Sequence, residues 1–260
     1  MVDYSETMPL IWLMDDFRSN VFPDCPILVA KCITILLRYA HTFGPINTAY
    51  TMDLKAPVVI TDNQLAIDSI DNQQLAWDLQ MNLDKIIEEN TRLARQMELD
   101  QLIPFVYHIQ QAKRIFITAA GRSGFAMQSA AMRLMHLGLT VYYVGDTTSP
   151  AIEAGDLLIA ASGSGTTGSI VRAAEKSKAV GAEVVAITTN AGSSLAKLAT
   201  HVVLVPAAEK EDHSAKVSTQ YAGSLFEQFL LLLNDAVFQS LWKLSGQAAE
   251  TLWKRHANLE

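Results

Sequence analysis

The sequence predicts an α/β chain in which helices cover both faces of a five-stranded parallel sheet, preceded by an irregular N-terminal segment. Three observations predict it. Five apolar runs, at 114–119 (RIFITA), 140–144 (TVYYV), 156–161 (DLLIAA), 183–188 (EVVAIT) and 201–205 (HVVLV), lack the alternation expected of a sheet with one wet face. Helical stretches separate three of the four successive pairs, two of them of the roughly 10–15 residues that crossover connections require. The loops at 120–124, 162–167 and 188–194, which leave the carboxyl ends of three runs, carry Gly, Ser and Thr. Ligands of such sheets sit beyond those ends, at the switch point.

Residues 1–70 read as an extension of irregular order and 71–260 as the folded domain. Five of the eight prolines fall within the first 57 residues, and twelve of the thirteen glycines lie at or after Gly121. Up to Asp68 no helical or strand period is sustained. From Asp71, Leu75, Leu79, Leu83, Ile86, Ile87, Leu93 and Met97 make an apolar stripe on a polar helix. Asp100 reads as the N-cap of a second helix running to about Gln111. Further helices are expected over 123–137, 168–180, 193–199 and 225–244.

Composition narrows the function. Half of the residues are apolar, 18% are charged and the formal net charge is −7. That excludes disorder over most of the length and gives no basic face for gripping a phosphate backbone, so no nucleic-acid partner is expected. The longest apolar runs fall well short of the about 20 residues a membrane span needs, so no membrane partner is expected either. Acidic residues crowd the start where a secretory signal would be basic. Cys25 and Cys32 form neither a C-x-x-C pair nor a disulfide framework. A cytoplasmic protein is expected.

The loop Ser162-Gly163-Ser164-Gly165-Thr166-Thr167 is the best candidate for chemistry. Its glycines let an anion approach the backbone closely, and the following helix N-terminus favours negative charge. No Gly-Lys-Ser/Thr follows, so it is not a Walker A loop, and Gly121-Arg122-Ser123-Gly124 has the wrong spacing for a dinucleotide fingerprint. The plainer alternative is a tight βα turn with a hydroxyl cap. Glu227 also has two readings. It lies three residues after Ser224 and could complete a capping box, or it is a carboxylate at a helix start beside the strand ends, placed to act as a general base. The six histidines show no paired ligand spacing, so no metal is expected. Arg133 and His136 read as packing or interface residues, and Trp242 and Trp253 as core or subunit contacts.

Taken together, the motifs resemble the sugar isomerase (SIS) fold and, more narrowly, the 6-phospho-3-hexuloisomerase family. The carrying segments are AGRSGF at 120–125, AMRLMHLG at 131–138, VGDTTSP at 144–150, GDLLI at 155–159, SGSG at 162–165, GSLFEQ at 223–228 and RHANLE at 255–260. They follow the family order over about 75–260, and residues 1–70 have no counterpart there. RLMHLG, GSLFEQ and RHANLE narrow the match to this family, whose ending the final Leu-Glu completes. The resemblance implies a three-layer fold around a five-stranded parallel sheet, a homotetramer, and no cofactor. It implies a phosphorylated ketohexose substrate: D-arabino-hex-3-ulose 6-phosphate interconverted with D-fructose 6-phosphate, in the ribulose monophosphate route of formaldehyde fixation. Carried residue by residue, Glu227 falls where the family places its proton acceptor. Ser123, Ser162, Gly163, Ser164, Gly165, Thr166 and Thr167 would hold the substrate, with Ser162, Ser164 and Thr167 on the phosphate, and Arg122 would touch the sugar. His256 either enters a neighbouring subunit's site or is a solvated tail residue. Thr166 stands where many relatives carry an acid, and Asp146-Thr147 where Glu-Thr is common.

Two rival functions remain open on the sequence: a non-catalytic sugar-phosphate sensor joined to a DNA-binding segment, and an isomerase of another phosphosugar. Residues 1–74 hold nine acids against four bases, a poor duplex-binding surface. The N-terminal segment is either a true extension or sequence upstream of a mis-assigned start, with Met81 near a plausible beginning.

Overall fold

The computed structural model describes residues 60–61, 64–65, 71–211 and 217–259, so both cysteines and most of the N-terminal segment lie outside the described residues. Backbone contacts divide the chain into two units, Met1–Asp68 and Ser69–Glu260. In the first, β1 (Ile60–Thr61) and β2 (Gln64–Leu65) pair antiparallel, with Ile60 opposite Leu65.

The second unit holds the five expected strands: β3 (Ile115–Thr118), β4 (Val141–Tyr143), β5 (Leu157–Ala161), β6 (Glu183–Thr188) and β7 (His201–Leu204). All four pairings are parallel and the order is β4-β3-β5-β6-β7. The helices are α1 (Asn72–Gln96), α2 (Leu102–Gln111), α3 (Gly121–His136), α4 (Gly168–Ala179), α5 (Ser194–Leu198), α6 (Ser224–Ser245) and α7 (Ala249–Trp253).

The strands are apolar throughout because each side chain meets a helix layer. Ile115, Ile117, Ile159 and Ile187 pack with Leu93 of α1, Phe105 of α2, Met127 of α3 and Leu230 of α6. Their neighbours along the strands, Phe116, Leu158, Val184 and Ala186, pack with Ile170 and Ala174 of α4 and Leu195 of α5. Each fully buried Ile or Leu contributes about 1.5–3 kcal/mol. Below the sheet, Asp156 takes a two-pronged contact from Arg114 at 2.5 and 3.0 Å and the backbone N–H of Glu153 at 2.8 Å. Burial alone would raise the Asp156 pKa, but these donors outweigh it and lower it.

The chain makes its turn between β3 and β5. From β3 it crosses through α3 on one face to β4, whereas from β5 it crosses through α4 on the other face to β6. The loops after these adjacent strands therefore part and open a crevice at their carboxyl ends.

Two details differ from expectation. Asp100 does not cap α2: it sits in a 3₁₀ turn, Leu99–Gln101, and α2 starts at Leu102 with no side-chain cap. The neighbouring Gln101 instead fills the exposed edge of β7, accepting from Leu204 N–H (2.6 Å) and donating to Leu204 C=O (3.0 Å), as another strand would. The α1 stripe is buried only at its end: Leu93 and Met97 are in the core, while Leu75, Leu79, Leu83 and Ile87 are exposed. Asp71, by contrast, caps α1 through the N–H groups of Gln73 and Gln74. No helix among the described residues is long and apolar enough to cross a membrane.

Candidate active site

The 162–167 loop leaves β5 and is clamped from below. Gly163 C=O accepts from the Thr188 hydroxyl (2.9 Å) and from both the N–H (3.0 Å) and hydroxyl (2.8 Å) of Thr189. Gly165 turns with φ of +64°, and a Cβ there would lie 2.1 Å from Ser193 Oγ, so only glycine fits. Its N–H donates to the backbone and hydroxyl oxygens of Ser162.

The hydroxyls of the loop pair with each other, Ser162 with Thr167 and Ser164 with Thr166, each at 3.0 Å. Thr167 occupies the N-cap of α4 but makes no side-chain cap hydrogen bond, because its hydroxyl is turned to Ser162. The helix N-terminus is left open to an outside acceptor. Loop and helix start thus have the chemistry of an anion cradle: rotatable hydroxyls, a fixed backbone and a helix dipole.

Beside it begin α3 and α6. Arg122 and Ser123 lie in the first turn of α3, Arg122 exposed and Ser123 buried. The α6 N-cap is Gly223, with φ of +74°, and Ser224 is already the first helical residue. The capping box is therefore not formed. Ser224 Oγ accepts from Arg122 (3.3 Å), and the Glu227 carboxylate, only 7% exposed, faces Arg122 Nε at 3.3 Å and Lys210 Nζ at 3.8 Å. The missing Cβ of Gly223 makes room for the Lys210 stem. A buried carboxylate between two cations, both reachable from solvent, can take and return a proton when a substrate enters.

Gly163 packs against the ring of Phe226, so the residue before Glu227 touches the cradle. The structure thus gathers Arg122, Ser123, Glu227 and 162–167 at the crevice. It does not bring His256 there. The His256 ring stacks on His136 at 4.0 Å, at the far end of α3, roughly 20 Å along the helix from Arg122. Burial, with the nearby charges of His256, Arg133 and Arg255, lowers the His136 pKa. Arg133 itself packs over the Phe238 ring and pairs with Asp235 at 3.2 Å, the packing role expected for it. Lys210 is not marked by any local motif and reaches the site by long-range folding, whereas Thr188 and Thr189 open the 188–194 loop that the strand pattern already places at the carboxyl ends.

Residues 108–232 match the SIS domain family. Over 183 residues the chain is 52% identical to the 3-hexulose-6-phosphate isomerase of Mycobacterium gastri, covering 70% of this chain and 92% of that protein. It is 43% identical over 164 residues to the Bacillus subtilis protein of the same name, covering 63% and 87%. A solved structure from Methanococcus jannaschii, for which a molecular function of 3-hexulose-6-phosphate isomerase was inferred, superposes with a TM-score of 0.60 at 32% identity, covering 69% of this chain and 99% of that one.

Proposed function

The chain belongs to the SIS-domain family of 3-hexulose-6-phosphate isomerases, and from that premise we propose that it interconverts D-arabino-hex-3-ulose 6-phosphate and D-fructose 6-phosphate through a 2,3-enediol. The observation that carries the reading is the buried Glu227 carboxylate beside an open, hydroxyl-lined helix N-terminus.

Moving a carbonyl between C2 and C3 takes a proton from one carbon and returns one to its neighbour. A single carboxylate on one face of the enediol serves both steps, contributing about 10²–10⁴-fold. Glu227 is the proposed base. The proton released from the hydroxyl passes to the oxygen that was the carbonyl, so the reaction needs no hydride carrier and no cofactor. Ser162, Ser164 and Thr167 are proposed to hold the phosphate, with the backbone of Gly163 and Gly165 and the Thr166 hydroxyl around it, and Ser123 and Arg122 at the sugar. Fixing the phosphate orients C2 and C3 and holds the enediol until it is reprotonated.

We further propose a cytoplasmic homotetramer in which His256 serves a neighbouring subunit's site. Its place against His136, roughly 20 Å along α3 from Arg122, supports that placement. The exposed Leu75, Leu79, Leu83 and Ile87 of α1, with Phe125 and Met132 of α3, supply apolar surface for self-association. Sedimentation equilibrium tests the subunit number.

The assay for the reaction supplies hex-3-ulose 6-phosphate from formaldehyde and ribulose 5-phosphate by a synthase, and follows fructose 6-phosphate by a coupled reading without added metal or nucleotide. Turnover is expected. Phosphosugar binding without turnover would overturn the isomerase reading in favour of a sensor or of another substrate.

A further inference from the structure

We propose that Glu89 of α1 is a positioning residue for Glu227: it fixes the segment that leads into α6 and so sets where the base stands. This inference rests on the reading of Glu227 given above.

Glu89 is 4% exposed and lies on a helix that contributes no residue to the crevice. Its carboxylate takes four hydrogen bonds, all from three consecutive residues about 130 positions later. Ser218 Oγ donates at 2.6 Å, Thr219 N–H at 2.9 Å, Thr219 Oγ1 at 3.0 Å and Gln220 Nε2 at 2.9 Å. A carboxylate has about four lone-pair sites, so this one is fully used on a single segment. Burial pushes its pKa up, but the donors outweigh burial and bring it to about 2.

The segment runs directly into the site. After Gln220 come Tyr221, Ala222 with φ of 23° and Gly223 with φ of +74°, then the first turn of α6. Ala222 carries a side chain, so its positive φ is costly and the turn persists only when the surroundings hold it. It is held on both sides. Upstream stands the Glu89 clasp. Downstream, Gln228 Nε2 donates to Gln220 Oε1 at 2.7 Å, and Asn90 Nδ2 donates to Gln228 Oε1 at 2.8 Å. Glu89 and Asn90, adjacent on α1, therefore grip the chain before and after Glu227, and Gln220 joins the two grips.

The arrangement matters for proton transfer, because a misplacement of about 1 Å costs on the order of 10²-fold in rate.

The test uses the full chain with Glu89→Gln, which keeps the size but replaces one acceptor oxygen by a donor facing donors. Hydrogen exchange, read without substrate, is expected to quicken about tenfold for the amides of 217–228 and to stay unchanged for those of 168–171. In the isomerase assay, kcat is expected to fall about tenfold to a hundredfold with KM within about threefold. Gln220→Met removes the joint between the grips without stranding the carboxylate, and is expected to cut kcat about fivefold at unchanged Tm. It serves if Glu89→Gln fails to fold. Wild-type exchange over 217–228 in either folded variant would overturn the proposal, whatever the substrate proves to be. Unchanged kcat in both variants, with an active wild type, would overturn it too. Failure of the wild type on hex-3-ulose 6-phosphate counts only against the function reading, since exchange needs no substrate.

Discussion

Arg122 Nε lies 3.3 Å from Glu227 Oε2, so the buried carboxylate shares its side of the crevice with a guanidinium that is mostly exposed. The pair joins the first turns of α3 and α6, beside the carboxylate proposed as the base. Glu227→Gln keeps the shape and removes the basicity. Its kcat is expected to fall about 10²–10⁴-fold while fructose 6-phosphate still binds, read by calorimetry beside the coupled assay. Wild-type turnover in that variant would overturn the assignment of the base.

Gly165→Ala is expected to disable the cradle. The new Cβ would meet Ser193 Oγ at 2.1 Å, at a φ of +64° that L side chains rarely adopt. Overpacking of this kind costs about 1–3 kcal/mol, and the left-handed conformation about 1–2 more. Both Tm and phosphosugar affinity are expected to drop. Adding Ser193→Gly is expected to recover part of the loss, because it relieves the clash and a glycine cap costs only a few tenths of a kcal/mol. No recovery in the double variant would show that the backbone conformation, and not the close approach, is what demands glycine.

The sheet was legible because both of its faces are covered. Ile117 and Phe116 are adjacent, face opposite helix layers and are both buried, so the strand reads as an unbroken apolar run. The cradle was legible too, since its hydroxyls and glycines are contiguous in sequence. Glu227 was visible but ambiguous: Ser224-x-x-Glu227 fits a capping box, and only the left-handed Gly223 at the cap shows that the carboxylate is free for Arg122. The α1 stripe signalled a helix correctly and misled about burial, because periodicity records an apolar face and not what covers it. Lys210 and Glu89 were illegible. Their partners are distant in sequence, and a lone acid or base on a polar background carries no pattern.

Two acidic transitions are expected in stability. Glu89 has a folded pKa of about 2 against an ordinary 4.5. Its contribution is therefore complete above pH 4.5 and is lost as pH falls from there toward 2, a span on the order of 3 kcal/mol. The folded His136 also binds its proton less readily than the unfolded chain does. Stability is held above about pH 6.5 and erodes as pH falls below it, because the unfolded state takes up the proton first. Urea midpoints against pH check both. Glu89→Gln is expected to flatten the lower limb and His136→Phe the upper one, and a variant that left its own limb unchanged would remove that group as the cause.

The edge of the sheet should depend on Gln101. Its amide supplies both hydrogen bonds to Leu204 that another strand would otherwise make. Gln101→Leu is expected to cost about 1–3 kcal/mol and to promote association through the bared edge of β7, read as a lower urea midpoint and rising light scattering with concentration. Unchanged scattering would mean that α2 itself, and not the Gln101 amide, blocks the edge.

The tail that carries His256 is docked through Arg255, which donates to His136 C=O at 2.8 Å and to Gln247 Oε1 at 3.1 Å. The guanidinium lies against Gly138, where a Cβ would come within 2.9 Å at a φ of +94°. Gly138→Ala therefore displaces a flexible side-chain end and strains the backbone by about 1–2 kcal/mol, which loosens the tail without touching the crevice of its own chain. If His256 works in a neighbouring subunit's site, then Gly138→Ala, Arg255→Met and His256→Ala lower kcat together, although all three positions lie at the far end of α3 from Arg122. The coupled assay at saturating substrate measures this. Full turnover in His256→Ala would reduce the tail to a brace for α3 and remove His256 from catalysis, whereas loss in His256→Ala alone would show that the ring reaches its target without the Arg255 dock.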